Sequence, residues 1–405
     1  MLDIGQLHRI EYELTEDRSA SETSHGSTPV AAAEAPGRIH FMGEPTPDQN
    51  NEESGIFLSA AIDRYINVAV SQRKDNSFRF FAADLKERKR STLANLKFRR
   101  EDRWANYLKP AIYLFTELGY PMKGLNFSFC GDIPQHIGLA SSIAIETAAA
   151  TALKNLFHIQ IDDIEFAKKL KQAHFSIFGT HAPLEDYLVC VMARKDHFLL
   201  IDSAENDVKI IKSPFSGFKF LLIDSRVPRM GTESEITSRR NDISKGLKLL
   251  SKKKESASFK DFASSDLLEV LGDFPEQIRR RSMHIVEEIR RLEDIEDALE
   301  RCDLASFAKI IYHSHESLRD LYEISCPEVD WLVKRAQEIE GAAGARMTGL
   351  GFGGCTYTVI RKELSEEYKR RLEEYERIFG FRPVIYEFKL AAKARVLPAR
   401  KRVYA

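Results

Sequence analysis

GDIPQHIGLASSIAIE, Gly131 to Glu146, follows an apolar run rich in β-forming residues, LNFSFCG (Leu125 to Gly131). It leads into a stretch, Ile143 to Phe157, with helical periodicity. A strand ending at Cys130, a turn through Pro134 to Gly138 and a helix from about Ser142 would aim unpaired backbone N–H groups at an anion. The helix dipole adds to that attraction. The same pattern is also an ordinary strand–turn–helix connection, so the rest of the chain has to decide between the two.

The 405 residues are 43% hydrophobic and 30% charged, with a formal net charge of -1. That length suits two domains or one large one with a sizeable core. The balanced charge lacks the basic excess of a nucleic-acid binder. The five cysteines show no CxxC and no metal-ligand spacing, which fits reduced thiols in a cytoplasmic protein. No apolar run is long enough to span a bilayer, and the charged N-terminus lacks the apolar segment of a signal peptide.

RSASETSHGSTP (Arg18 to Pro29) reads as a loop or spacer. Strand-like YINVAVS (Tyr65 to Ser71) and LNFSFCG precede helical periodicity over Ile143 to Phe157 and Asp163 to Phe178. FKFLLIDS (Phe218 to Ser225) opens a second half. A long charged helical region follows, from about Glu233 to Glu340, and then strands GCTYTVI and PVIYEFK bracket another helix. The lysine-rich LKLLSKKKESASFKDFASSD reads as a solvated helix end and loop. The class is α+β, in two domains spanning 1–212 and 213–405.

Two further stretches, APGRIHFMGEPT (Ala35 to Thr46) and GARMTGLGFGGCTYTVI (Gly344 to Ile360), lie on either side of the first. Together the three resemble the motifs of the GHMP small-molecule kinases, and within them most closely the galactokinases. That family reads A-P-G-R-x-x-x-x-G-E-H-T-D-Y-N, then P-x-G-x-G-L-S-S-S, then G-A-R-M-T-G-x-G-F-G-G-C. SHESLRDLYEISCPEVDWLV (Ser314 to Val333) and WANYLK (Trp104 to Lys109) also look galactokinase-like. The resemblance implies an N-terminal domain like the second domain of ribosomal protein S5, a ferredoxin-like C-terminal domain, and an active site between them. It further implies ATP and magnesium as cofactors, a small-molecule sugar as the other substrate, and a monomer.

Residue by residue, the resemblance makes Arg38 and Asp186 catalytic. Arg38 would stabilise charge on the transferred phosphate and keep Asp186 ionised, while Asp186 would orient the sugar hydroxyl and take its proton. Glu44, Asp48 and Gly351 would bind the sugar. Trp104, Pro134, Gly138, Leu139, Ser141 and Ser142 would bind the nucleotide, with the Ser142 hydroxyl offered to magnesium. Other readings of the same residues stand beside these. Ser142 also suits an ordinary helix N-cap, Gly349, Gly351, Gly353 and Gly354 suit a structural turn, and Glu185 with Asp186 suits an exposed carboxylate pair.

The departures from the family pattern cluster. His136 stands at the first loop glycine, and histidine tolerates positive φ. His174 stands where galactokinases carry an acidic residue that assists magnesium, a poor exchange for an ion preferring hard oxygen. Pro45 replaces a sugar-contacting histidine and Ile236 a sugar-contacting tyrosine. Asp48 meets its family position only if one residue is inserted at Pro47. The leading expectation is an ATP-dependent sugar kinase acting on the anomeric hydroxyl of galactose or a related sugar. A second reading is a galactokinase-like protein that binds sugar and nucleotide without efficient turnover. A third is a kinase of a non-sugar alcohol.

Overall fold

The computed structural model describes residues 3–13, 28–47, 53–120, 122–228, 231–252, 254, 258–269 and 274–398. Most of the spacer expected from Arg18 falls outside them. Helix α1 (Ile4–Glu11) starts at a capping box, with Asp3 accepting from the Gln6 N–H. Its buried His8 bonds Ser71 and Ser128, fixing the helix to the first sheet. That sheet is built on two long strands, β1 (Val30–Met42) and β4 (Ile56–Gln72), with a short ribbon between them of β2 (Thr46–Pro47) and β3 (Glu53–Ser54).

β5 (Ser77–Ala82), β6 (Glu87–Thr92) and β7 (Leu125–Gly131) extend the sheet on one side. A 3-10 segment (Arg100–Leu108) and α2 (Lys109–Glu117) lie between β6 and β7. Three helices follow: α3 (Ser141–Leu156), α4 (Asp163–Phe178) and α5 (Leu184–Met192). The alanines that make α3 look anonymous in sequence are its packing device, because small side chains let it lie close along β1 and β4. α4 is capped by Asp162 at one end and stopped by Gly179, at φ 71°, at the other. β8 (His197–Asp202) pairs with the first half of β4, and β9 (Asp207–Lys212) pairs with β8.

The second sheet begins at β10 (Phe218–Asp224). Helices α6 (Glu233–Leu250), α7 (Ser264–Glu269), α8 (Glu276–Glu300), α9 (Leu304–Ser317) and α10 (Pro327–Gln337) account for the long charged region. β11 (Ala342–Thr348), β12 (Cys355–Arg361), α11 (Ser365–Phe379) and β13 (Val384–Phe388) complete the sheet. Its order, β11-β12-β10-β13, is antiparallel throughout. This is the ferredoxin-like arrangement expected of the second half. The last strand, β14 (Arg395–Leu397), returns to pair with β1.

Side chains alternate across the β10–β12 pair. Leu221, Ile223 and Ile360 face α10 and α11. Phe220, Leu222, Tyr357 and Val359 join the core of the first sheet. Phe41, at the end of β1, is fully buried there, its ring 4.7 Å from that of Tyr357, whose hydroxyl donates to the Phe41 carbonyl. Burying a phenylalanine contributes about 1.5–3 kcal/mol, so this contact holds the end of β1 firmly against β11 and β12. Among the described residues no helix is long and apolar enough to cross a membrane.

Candidate active site

β1 carries the centre of the site. The β1–β4 register shifts between Pro36 and Gly37, and at that bulge the phosphate-loop candidate docks on the strand. The Arg38 N–H donates to the Leu139 carbonyl at 3.2 Å. A Cβ on Gly37 would stand 3.2 Å from that same oxygen, so a side chain here would push the loop away. Arg38 then reaches across. Its Nε and Nη2 donate to Asp186 Oδ1 and Oδ2 at 2.5 and 2.8 Å, and its Nη1 donates to the Gly138 carbonyl at 2.6 Å. One guanidinium therefore ties the N-terminal turn of α5 to the loop before α3.

Asp186 is 3% exposed. Burial alone would raise its pKa, but the Arg38 guanidinium, and then a hydrogen bond from His40, hold the carboxyl well below the usual range. Glu185 beside it is buried too, at 5% exposure, so the pair is not the exposed one that the sequence also allowed. Burial first, and then the charge on Asp186, push Glu185 up to about 8. At neutral pH the two neighbours are thus in opposite states, with Asp186 ionised and Glu185 protonated. Environments that drive adjacent carboxyls apart in this way separate acid from base roles.

The loop itself runs through left-handed backbone. His136 has φ 64°, Gly138 84° and Ala140 55°. The histidine in a glycine position therefore does adopt the conformation that the turn requires. Ala140 precedes α3 with no side-chain cap on the helix. Ser141 and Ser142, in the first turn of α3, line the cleft, and the unpaired N–H groups of a helix start favour an anion.

The cleft has a volume of about 780 Å³ and runs between this loop and the second sheet, within the range usual for small-molecule sites. Its walls include Arg38, Glu44, Pro45, Trp104, Pro134, Gly138, Leu139, Ser141 and Ser142, together with Glu185, Gly349 and Leu350. Trp104 packs its ring 5.2 Å from Phe129 and donates its Nε1–H to Glu87. Gly351 is not on the cleft wall. A Cβ there would lie 2.6 Å from Ile324, so this glycine makes room for backbone packing. Asp48 lies outside the described residues. Ile236 is half-buried on α6, and Arg240, one turn later, reaches the cleft.

His174 does not face the phosphate loop as a free ligand. Its Nδ1 bonds the fully buried Glu146 at 2.8 Å, and its ring stacks on Phe178. Tyr187 donates to the other Glu146 oxygen at 2.5 Å. Burial, only partly opposed by these hydrogen bonds, raises the Glu146 pKa.

Two groups escaped the sequence reading. Buried Arg346 bonds Glu44 at 2.9 Å, Glu288 at 3.1 Å and Ser314 at 2.8 Å. Glu288 also has Arg291 and Ser314, and although burial opposes it, Arg346 and then Arg291 hold it down at about 2. Glu44 has the smaller share of Arg346, and burial leaves it at about 7. No spacing signals a partnership between residues 44, 288 and 346. The second group, His40, did carry a signal, because two residues beyond Arg38 on a strand means the same face.

The chain matches the models for the GHMP kinases N terminal domain over residues 106–194 and for the GHMP kinases C terminal over 295–377. It is 37% identical over 384 residues to a galactokinase-family protein of Treponema pallidum, covering 94% of this chain and 96% of that one. It is 31% identical over 388 residues to the galactokinase of Roseiflexus sp., covering 95% of each. Its fold superposes on Lactococcus lactis galactokinase complexed with galactose with a TM-score of 0.83, at 24% identity, over 91% of this chain and 95% of that one. A mevalonate kinase superposes less closely, with a TM-score of 0.61. The cleft beneath α3 and the near full-length identity agree, and the chain belongs to the galactokinase family of GHMP kinases.

Proposed function

We propose that this protein is an ATP-dependent galactokinase that moves the γ-phosphate of ATP to the anomeric hydroxyl of galactose or a closely related hexose. The observation that carries the reading is the buried Arg38–Asp186 pair, whose Arg38 lines the cleft and ties Asp186 to the phosphate loop through the Gly138 carbonyl. Phosphoryl transfer asks the protein mainly for positioning and charge stabilisation, and this pair supplies both. Ionised Asp186 accepts the proton of the attacking hydroxyl, while Arg38 carries positive charge toward the transferred phosphate.

The nucleotide phosphates rest on the N-terminus of α3 and the loop from Pro134 to Ser142, with the base on the Trp104 side. Glu44 and Asp48 bind the sugar, and Pro45, which has no side-chain hydrogen-bond donor, alters how its hydroxyls are read. The 1–212 lobe holds the nucleotide, and the 213–405 lobe closes the sugar side through Arg346, Gly349 and Leu350.

Among the described residues no three His, Cys, Asp or Glu side chains could cage a metal ion. The Ser142 hydroxyl on the cleft wall is a hard oxygen donor that suits magnesium arriving with the ATP phosphates. When bound, the ion neutralises phosphate charge. Turnover in the cytoplasm, where ATP is available, and a monomeric enzyme complete the reading.

The test is purified protein with ATP and magnesium against a panel of hexoses, following ADP and sugar 1-phosphate together. Sugar 1-phosphate formation that disappears in Asp186→Asn is the expected result. Tight ATP and sugar binding with no product from any hexose would overturn it in favour of a binding role.

A further inference from the structure

We infer that His40 is a positioning residue for Asp186, one that occupies Oδ1 and leaves Oδ2 as the oxygen that meets the sugar hydroxyl. The inference rests on Asp186 being the catalytic carboxylate, as proposed above. His40 lies on β1 on the cleft wall, two residues beyond Arg38. Its Nε2 is 3.0 Å from Asp186 Oδ1 and its Nδ1 is 2.6 Å from Ser59 Oγ on β4. The Phe57 ring, 5.0 Å away centre to centre, limits its rotation, and Thr348 of β11 bonds its carbonyl. The ring is therefore held by β4 and α5, while β11 holds its backbone.

The hydrogen-bond count gives the asymmetry. A carboxylate oxygen offers about two lone-pair sites. Oδ1 accepts from Arg38 Nε and from His40, which fills it, whereas Oδ2 accepts from Arg38 Nη2 alone among the described residues. Against an ionised carboxylate, Nε2 must carry the proton, and Nδ1 then accepts from the Ser59 hydroxyl. The charged groups facing the ring are Asp186 from α5, Arg38 from β1 and Arg346 from β11. Burial, and after it Arg38, push His40 down to about 4, so the ring is neutral in the working range. In the reaction, the sugar oxygen bonds the γ-phosphorus as the bond to the β,γ-bridging oxygen breaks and ADP leaves. The hydroxyl proton passes to Oδ2.

The test compares His40→Ala, His40→Gln and Asp186→Asn with the wild type, by pH profile, by steady-state kinetics with galactose and ATP, and by thermal melting. In His40→Ala, kcat should fall about 10- to 100-fold. The KM for ATP should stay within about twofold, and the acid limb of the kcat profile should move to higher pH because Asp186 has lost a donor. His40→Gln, which keeps an N–H donor, should recover part of the rate. A His40→Ala enzyme with wild-type melting, an unmoved acid limb and kcat within about threefold of wild type, beside an inactive Asp186→Asn, overturns the role of His40 alone. An active Asp186→Asn overturns both readings. Should His40→Ala fail to fold, 15N imidazole spectra of the wild type decide. A neutral ring protonated at Nε2 at pH 7 supports the inference, and an imidazolium or an Nδ1-protonated ring refutes it.

Discussion

Replacing Arg38 with methionine keeps most of the side-chain volume and removes the fork that holds Asp186. Two charge-assisted hydrogen bonds to Asp186 and one to the Gly138 carbonyl disappear. The larger effect lies in what remains, since Asp186, 3% exposed in the wild type, keeps His40 as its one side-chain partner among the described residues. Breaking a buried pair by removing one member costs about 3–5 kcal/mol, because the remaining charge is uncompensated. Unfolding in urea at pH 7, followed by fluorescence and near-ultraviolet dichroism, should show a loss of that size. The penalty has a characteristic pH dependence. In the wild type the depressed Asp186 pKa contributes stability above the unfolded value of about 4, and this is lost as pH falls through the folded one. In the variant the folded pKa is higher, so protonation relieves the unpaired charge. The gap between the two proteins should be widest at neutral pH and narrow below about pH 5. Asp186→Asn placed in the Arg38→Met background should recover most of the loss at pH 7. A deficit under about 1 kcal/mol, or one that stays constant from pH 7 to pH 4, would refute the account of Arg38 as the counter-charge of a buried carboxylate.

Glu185→Gln should stabilise the fold. A carboxyl raised to about 8 costs stability as pH climbs from its unfolded value toward the folded one, and an amide does not. The gain over wild type should grow by up to about 1.4 kcal/mol per pH unit between about pH 5 and 8, then level off. Unfolding midpoints at pH 5.5, 7 and 8.5 measure it, and equal midpoints at all three would contradict it. Ala140→Gly should raise the melting temperature, since the residue sits at φ 55° where glycine is unstrained, a difference of about 1 kcal/mol. An unchanged or lower melting temperature would count against strain at that position. Arg346→Met should destabilise by about 1–3 kcal/mol, because Glu288 loses one of its two arginines but keeps Arg291 and Ser314, and should raise the KM for sugar by freeing Glu44. A wild-type KM together with wild-type stability would show that the network carries neither role.

What could be read from the chain, and what could not, divides by the range of the interaction. The loop from Gly131 to Glu146 was legible because its strand, its glycine and its helix start are consecutive, and each obeys a local rule. His136 in left-handed backbone belongs to the same class, since a residue's own φ preference anticipated it. Gly351 shows the limit of such rules. Glycine was needed there, but the demand comes from Ile324, 27 positions upstream, and not from a ligand. Arg346, Glu288 and Glu44 come from β11, α8 and the loop after β1, so their charges meet only once the two sheets share a core around Phe41 and Tyr357. His174 looked like a lost metal ligand when read against one motif. In the fold it answers to Glu146 and Tyr187, from two other helices. Its meaning in the fold is therefore that of one member of a three-residue hydrogen-bonded cluster. Substitutions at a site of this kind are best judged by the partners they acquire, and Arg38 and Asp186 still have each other.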